Sequence, residues 1–131
     1  MDGFKAINDK YGHDKGDVVL VTVAKRLSEA VRSFDIVSRM GGDEFVIILQ
    51  NVISISEIKE ICQRIVKLVG KPILLDEEET EVAVTTSIGV SISPFDGETA
   101  EELISSSDKA MYIAKNNGKN QFTFCSEKYE L

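Results

Sequence analysis

The sequence predicts an α+β domain in which a central antiparallel sheet is flanked by helices. Three observations support this fold class: helical and strand-like segments are interleaved, several strand-like segments form hairpins, and turn residues separate the elements. The 131 residues can bury a substantial core, since 43% are hydrophobic and 28% are charged. We therefore expect a single domain over residues 1–131.

Three helices are expected, at residues 17–32, 54–69 and 99–117. In the first, apolar side chains recur at helical spacing. The other two begin with capping-box patterns, Ser54 with Glu57 and Thr99 with Glu102. A glycine follows each of these two helices, which is typical of a helix end.

Five strands are expected, at residues 36–40, 45–49, 73–75, 81–93 and 121–125. Only four residues separate the first two strands, so these should form a hairpin. The acidic segment 76–80 is expected to be a solvated hairpin loop, and residues 94–97 a turn.

The formal net charge of −7 argues against binding to DNA, RNA or an anionic membrane by charge alone. A nucleotide remains compatible, because bound cations neutralise phosphates locally. No apolar run approaches membrane-spanning length, so we expect no direct membrane contact by this domain and a cytoplasmic location, with an anchor elsewhere in a parent protein left open. Cys62 and Cys125 are expected to be free thiols in a reducing compartment.

The segment Gly41-Gly42-Asp43-Glu44 lies at the expected hairpin tip. Glycines let a backbone turn tightly or approach a ligand closely. Carboxylates at such a turn suit a hard cation such as Mg²⁺. The tip therefore indicates a metal-and-phosphate site, and the alternative is an ordinary turn-forming aspartate.

A polar, glycine-punctuated segment with Asn8 and Asp17 precedes the first expected helix. An amide both donates and accepts hydrogen bonds, and a carboxylate accepts them, so the pair suits the edge of a guanine base. The structural alternative is that Asp17 caps the helix and Asn8 ends a turn. His13 is the only histidine, and we expect it to have a structural role in the turn at Gly12.

Four motifs, in this order, resemble the GGDEF family of diguanylate cyclases. They are Phe4-Lys5-x-Ile7-Asn8-Asp9-x-Tyr11-Gly12-His13-x-x-Gly16-Asp17, Arg39-x-Gly41-Gly42-Asp43-Glu44-Phe45, Ser87-Ile88-Gly89-Val90 and Ala110-Met111-Tyr112-x-Ala114-Lys115-x-x-Gly118-Lys119-Asn120. The resemblance runs from the first residue to about Phe124. It implies a ferredoxin-like fold, similar to the catalytic palm of adenylyl cyclases and polymerases.

The resemblance also implies an activity in bacterial signalling. The family's nucleotidyltransferases join two GTP molecules into cyclic di-GMP and release two pyrophosphates. Each subunit of a homodimer holds one GTP, and the reaction depends on positioning and on charge neutralisation by Mg²⁺ or Mn²⁺.

By position, the resemblance assigns catalytic roles at the hairpin tip. Asp43 matches a metal-ligand acid proposed also as proton acceptor, and Glu44 is the neighbouring acid. Gly41 and Gly42 match glycines that let the backbone pass close to the α-phosphate. Lys5 matches a lysine that stabilises charge in the transition state, and its alternative is simple solvation.

The resemblance assigns substrate-binding roles to four further residues. Asn8 and Asp17 match the pair that recognises guanine. Lys115 and Lys119 match basic residues at the terminal phosphates, although an arginine is frequent in the family at the second position. The alternative for both lysines is a favourable interaction with a helix C-terminus.

The Arg-x-x-Asp pattern of Arg32 and Asp35, five residues before Gly41, resembles the family's inhibitory site for cyclic di-GMP. Arginine pairs well with phosphate and with a guanine edge. Arg64 is a candidate second arginine of this site. The alternative is that Arg32 complements a helix C-terminus and Asp35 starts a strand.

The family's first metal-binding aspartate would lie one residue before Met1, so that Met1 would offer the metal only its backbone carbonyl. We therefore expect an N-terminally truncated domain of a larger multidomain signalling protein, without most of its first strand and with impaired activity. The alternatives are an inactive GTP or cyclic di-GMP sensor attached to a phosphodiesterase domain, and a domain kept for dimerisation.

Overall fold

The computed structural model describes residues 1–126, and these form helices and strands in the order expected for an α+β fold. The helices are α1 (Phe4–Tyr11), α2 (His13–Ala30), α3 (Ile55–Val69) and α4 (Ala100–Asn116). The strands are β1 (Ile36–Gly41), β2 (Glu44–Ile48), β3 (Ile73–Leu74), β4 (Glu81–Val82), β5 (Ser87–Val90) and β6 (Gln121–Phe124).

The chain divides into two compact units, Met1–Thr85 and the residues from Thr86 onward. In the first unit, β1 pairs with β2 and β3 with β4, both antiparallel. In the second, β5 and β6 pair in parallel, and α4 packs against both. The single domain over residues 1–131 stays a prediction.

The core of the first unit lies between α2 and α3. Its fully buried side chains include Val19, Val23, Ile61, Val69, Ile73 and Val84. Each of these two helices also contributes an arginine that hydrogen-bonds to backbone carbonyl groups at or just after the end of the other helix. Arg64 Nε donates to the carbonyl oxygen of Ala30 at 2.8 Å, and Arg26 donates to the carbonyl oxygens of Lys71 and Pro72 at 2.6 and 2.7 Å. The last carbonyl group of α2 and two carbonyl groups in the segment after α3 are thereby satisfied by side chains.

Both expected capping hydroxyls are confirmed. Ser54 Oγ accepts from the backbone N–H of Glu57 at 3.2 Å, and Thr99 Oγ1 accepts from that of Glu102 at 3.1 Å. Each glutamate carboxylate accepts in return from the residue before the cap, Ile53 N–H or Glu98 N–H, at 2.9 Å. These contacts are local, which explains why the sequence located both helix starts to within a residue.

The structure corrects two sequence predictions. The glycine-punctuated segment before the second helix contains a helix of its own, α1, whose Ile7 is buried. Because α2 begins at His13 after Gly12, the alternative in which Asp17 caps the helix is wrong. The expected strand 81–93 is in fact two strands, because β4 pairs with β3 whereas β5 pairs with β6.

Candidate functional site

The hairpin tip is a tight turn that only glycine accommodates easily. Gly41 pairs with Glu44, and the backbone φ angles of Gly41 and Gly42 are +139° and +53°. L side chains rarely adopt such φ values, so both positions favour glycine. Arg39 Nε donates to the carbonyl oxygen of Gly42 at 2.9 Å and closes the turn.

The start of the chain lies against this turn. The amino group of Met1 donates to the carbonyl oxygen of Asp43 at 3.1 Å and lies 3.8 Å from its Oδ2. The next residue, Asp2, is buried and bridged to Thr85: Asp2 N–H donates to the carbonyl oxygen of Thr85 at 2.7 Å, and Thr85 Oγ1 donates to Asp2 Oδ2 at 2.8 Å. The structure therefore brings Met1 and Asp43 together.

The Asn8 side chain is held between α1 and the start of α2. Its Nδ2 lies 3.1 Å from Nδ1 of His13. Its Oδ1 lies so close to Gly16 that a Cβ atom at that glycine would be 2.2 Å away. Asn8 lies within α1 and packs against α2, so the alternative in which it ends a turn is wrong.

Lys5 and Asp17 are both exposed. Lys5 lies on α1 three residues before Asn8, so these two residues share a face of α1. Asp17 lies on α2 four residues after His13, so these two share a face of α2. The two predicted guanine-contacting residues thus belong to neighbouring helices that pack together.

Arg32 and Asp35 form a two-point ion pair. Arg32 Nε donates to Asp35 Oδ2 at 2.8 Å, and a terminal Arg32 nitrogen donates to Asp35 Oδ1 at 2.9 Å. The same guanidinium also donates to a carboxylate oxygen of Glu57 on α3 and to the carbonyl oxygen of Gln50 at 2.6 Å. Its plane lies over the Phe34 ring, 4.6 Å from the centroid.

This network strongly favours the ionised form of Asp35. The hydrogen bond from Arg32 is the main cause, and the backbone N–H groups of Gln50 and Arg32 add to it. Together they lower the pKa of Asp35 to about 2.

The two predicted phosphate-binding lysines lie in the second unit. Lys115 is in the last turn of α4, and Lys119 follows the end of that helix at a φ of +63°. These positions also agree with the alternative in which both lysines interact with the helix C-terminus.

The family model for the "Diguanylate cyclase, GGDEF domain" matches residues 1–121 of this chain. The chain belongs to the GGDEF family. "Diguanylate cyclase A" of Treponema denticola is 44% identical over 124 residues, which are 94% of this chain and 33% of that protein. "Bifunctional diguanylate cyclase/cyclic di-GMP phosphodiesterase MucR" of Pseudomonas aeruginosa is 40% identical over 124 residues, 95% of this chain and 18% of that protein. The GGDEF chain thus spans a third or less of the length of these two relatives.

Solved structures confirm the GGDEF fold. The GGDEF domain of TpbB from Pseudomonas aeruginosa superposes with a TM-score of 0.89 at 36% identity, covering 95% of this chain and 77% of that one. The GGDEF domain of DgcB from Caulobacter crescentus, solved in complex with c-di-GMP, superposes with a TM-score of 0.83 at 27% identity, covering 95% and 72%. In the described part of this GGDEF domain, no helix is long and apolar enough to cross a membrane.

The residues at the hairpin tip fit a divalent cation of the kind that the GGDEF family uses. The carboxylates of Asp43 and Glu44 are hard oxygen donors, which Mg²⁺ prefers, and Met1 lies beside Asp43 through its backbone nitrogen. Residues 1–126 contain no group of three or more His, Cys, Asp or Glu side chains that could hold a metal ion on their own. A sparse donor set is compatible with Mg²⁺, which commonly binds one or two carboxylates together with water and substrate phosphates.

Sequence reasoning missed three residues that position this GGDEF domain's candidate sites. Gly16 gives the Asn8 side chain its space, Arg39 closes the hairpin tip, and Glu57 binds Arg32. The first two stood inside recognised motifs but had no assigned role. Glu57 was recognised only as a helix cap, and no local pattern indicates its partner on another element.

Proposed function

We propose that this GGDEF domain is the catalytic domain of a diguanylate cyclase that condenses two GTP molecules into cyclic di-GMP and two pyrophosphates. The observation that carries the proposal is the hairpin tip, where Asp43 follows two glycines with positive φ angles and lies beside Met1. The family match over residues 1–121 supports the same activity.

In the proposed reaction, the 3′-hydroxyl of each GTP attacks the α-phosphorus of the other, which is held by a second copy. Two bonds form between 3′-oxygen and α-phosphorus, the two bonds from the α-phosphorus atoms to the oxygens bridging to the β-phosphates break, and two pyrophosphates leave. Asp43 accepts the hydroxyl proton, Lys5 offsets developing negative charge, and the glycines leave the α-phosphate room to approach. Mg²⁺ or Mn²⁺ at Asp43, Glu44 and the Met1 carbonyl would neutralise phosphate charge.

The remaining proposed roles concern substrate placement. Asn8 and Asp17 bind guanine, and Lys115 and Lys119 bind the terminal phosphates of GTP. A homodimer is required because each domain holds one of the two reacting nucleotides. Holding both reactants in line supplies most of the rate in such a transfer.

The first experiment measures cyclic di-GMP synthesis. The protein is made with the family's aspartate and opening strand placed before Met1, and is incubated with GTP and Mg²⁺. We expect cyclic di-GMP and pyrophosphate by anion-exchange chromatography, and at least about 100-fold less of both in Asp43→Asn. A folded dimer that binds GTP and makes no product would contradict the proposal.

A sensor function is the second candidate. MucR is named a bifunctional cyclase and phosphodiesterase, and "Cyclic di-GMP phosphodiesterase NbdA" of Pseudomonas aeruginosa is 38% identical over 128 residues, 98% of this chain and 16% of that protein. A GTP- or product-binding domain without synthesis in the experiment above would favour this alternative.

We also propose that Arg32 and Asp35, with Arg64, form an inhibitory site for cyclic di-GMP. In the two-point ion pair the Arg32 side chain is 22% exposed, so its guanidinium is the group that a product phosphate reaches first. The Asp35 side chain is fully buried beneath it, so Asp35 binds a guanine only after the ion pair opens. The contact with Glu57 adds a condition, because a product phosphate has to replace this carboxylate at Arg32.

Replacing Arg32 tests the inhibitory site. Arg32→Ala should relieve product inhibition without abolishing turnover, and Arg32→Lys should relieve it in part, because lysine keeps the charge and loses the two-point geometry. Inhibition curves with added cyclic di-GMP measure the effect, and urea unfolding verifies that each variant is folded. Identical curves for Arg32→Ala and the unchanged protein would reject the assignment.

A further inference from the structure

The amide of Asn8 is held from two sides. On one side, Nδ2 lies 3.1 Å from Nδ1 of His13, the first residue of α2. On the other, Oδ1 fills the space that a side chain at Gly16 would need, since a Cβ atom there would be 2.2 Å from it. The backbone of Asn8 is held as well, because its carbonyl oxygen accepts from the N–H of Gly12 at 2.9 Å.

With His13 in its Nε2–H tautomer, these contacts select one orientation of the amide. A neutral histidine protonated on Nε2 accepts a hydrogen bond at Nδ1, and the amide nitrogen of Asn8 supplies it. A flipped amide would place Oδ1 against Nδ1, an acceptor against an acceptor. The orientation that His13 selects leaves a second N–H of Asn8 for a ligand.

We propose that His13 and Gly16 are positioning residues that make the nucleotide site prefer guanine over adenine, an inference that rests on the proposed GTP site. Guanine presents the acceptor O6 where adenine presents the donor N6 amino group. An amide held with its N–H outward pairs with guanine and opposes adenine. Asp17, one helical turn after His13, accepts from the N1–H and N2–H₂ groups that guanine alone presents as donors.

A substitution at Gly16 distinguishes a role in positioning Asn8 from a role in stabilising the fold. Alanine in place of a glycine inside a helix ordinarily raises stability. Here the added methyl group would also drive the short Asn8 side chain out of its position. The gain in helix stability from alanine offsets the cost of moving Asn8, so Gly16→Ala should leave the stability of the fold close to that of the unchanged chain while it removes the base preference.

The test measures binding of the α,β-methylene analogues of GTP and ATP, which cannot release pyrophosphate, by calorimetry with Mg²⁺. We expect the ratio of the two dissociation constants to fall about tenfold in His13→Ala and in Gly16→Ala, the loss of one oriented hydrogen bond. His13→Asn should retain most of the preference, because its side-chain carbonyl can accept from Asn8. Ser28→Ala, an exposed change on the same helix, should match the unchanged chain.

Thermal unfolding of every variant accompanies the binding measurements. If the unchanged chain binds both analogues equally, the proposed GTP site and this inference both fail. If it prefers the GTP analogue and keeps that preference in His13→Ala and Gly16→Ala, this inference alone is overturned. If His13→Ala does not fold, the inference is still tested by comparing the ratio of dissociation constants in Gly16→Ala with that in Ser28→Ala.

Discussion

At the residue scale, Asp35 shows how one carboxylate connects several elements. Its two oxygens accept from the backbone N–H of Arg32 at 2.9 Å, from that of Gln50 at 3.0 Å, and from the Arg32 guanidinium twice. The loop before β1 and the second residue after the end of β2, Gln50, are thereby held together. The sequence suggested an inhibitory site or the start of a strand, and the geometry adds a structural role.

The lowered pKa of Asp35 predicts a loss of stability in acid. Because its pKa falls from 3.8 to about 2 on folding, the carboxylate contributes stability above the unfolded value, and this contribution is lost as the pH falls through that range. Urea unfolding at several pH values should show a steeper acid loss for the unchanged chain than for Asp35→Asn. Parallel pH profiles would show that Asp35 is not responsible.

At the scale of elements, Gly89 determines how closely α4 approaches β5. A Cβ atom at this position would lie 1.8 Å from the carbonyl oxygen of Ser107 and 2.4 Å from the backbone nitrogen of Met111. Both atoms belong to the helix backbone, which cannot rotate away as a side chain can. The Ser-Ile-Gly-Val motif that helped to identify the family therefore has a packing role.

Gly89→Ala should destabilise the second unit by roughly 1–3 kcal/mol or more, because the helix has to move away from the strand. Chemical denaturation followed by circular dichroism measures this change. Ser105→Ala, at an exposed position on α4, serves as the matched control and should change little. Equal stability of the two variants would mean that α4 can shift without cost.

At the scale of the whole molecule, the two cysteines lie in different units, so the reactivity of each thiol can be used to follow the unfolding of its own unit. Cys62 is buried in the first unit, where burial raises the pKa of its thiol to about 12. In the second unit, Cys125 donates from Sγ to the carbonyl oxygen of Ser106 at 3.1 Å, and burial followed by the charge of Asp96 raises its pKa. Both thiols are free, as the sequence predicted.

Thiol labelling should therefore follow unfolding in each unit. At pH 8, dithionitrobenzoate should react slowly with the folded chain, because little thiolate is present at either site. With Cys125→Ser, the labelling rate in urea should follow the unfolding of the first unit, and with Cys62→Ser that of the second. Rapid, complete labelling of Cys62 without urea would contradict the buried thiol.

Local chemistry explains which parts of the fold were predictable. The starts of α3 and α4 depend on hydroxyl caps three residues from their partners, and the β1–β2 hairpin depends on adjacent glycines, so neighbouring residues contain the information. The division of the expected strand 81–93 was not predictable in this way. A continuous apolar pattern does not show that its two halves pair with different strands.

The sequence by itself determined the family and the order of most elements, and it predicted the residues of the candidate site. Only the tertiary structure decided which of them meet. Met1 reaches Asp43 across 42 positions, and Arg32 reaches Glu57 across 25. Such contacts depend on how helices and hairpins pack, and periodicity along one element does not specify its neighbours. The same reason applies at Asn8, where the motif supplied the amide and the packing of α1 on α2 oriented it.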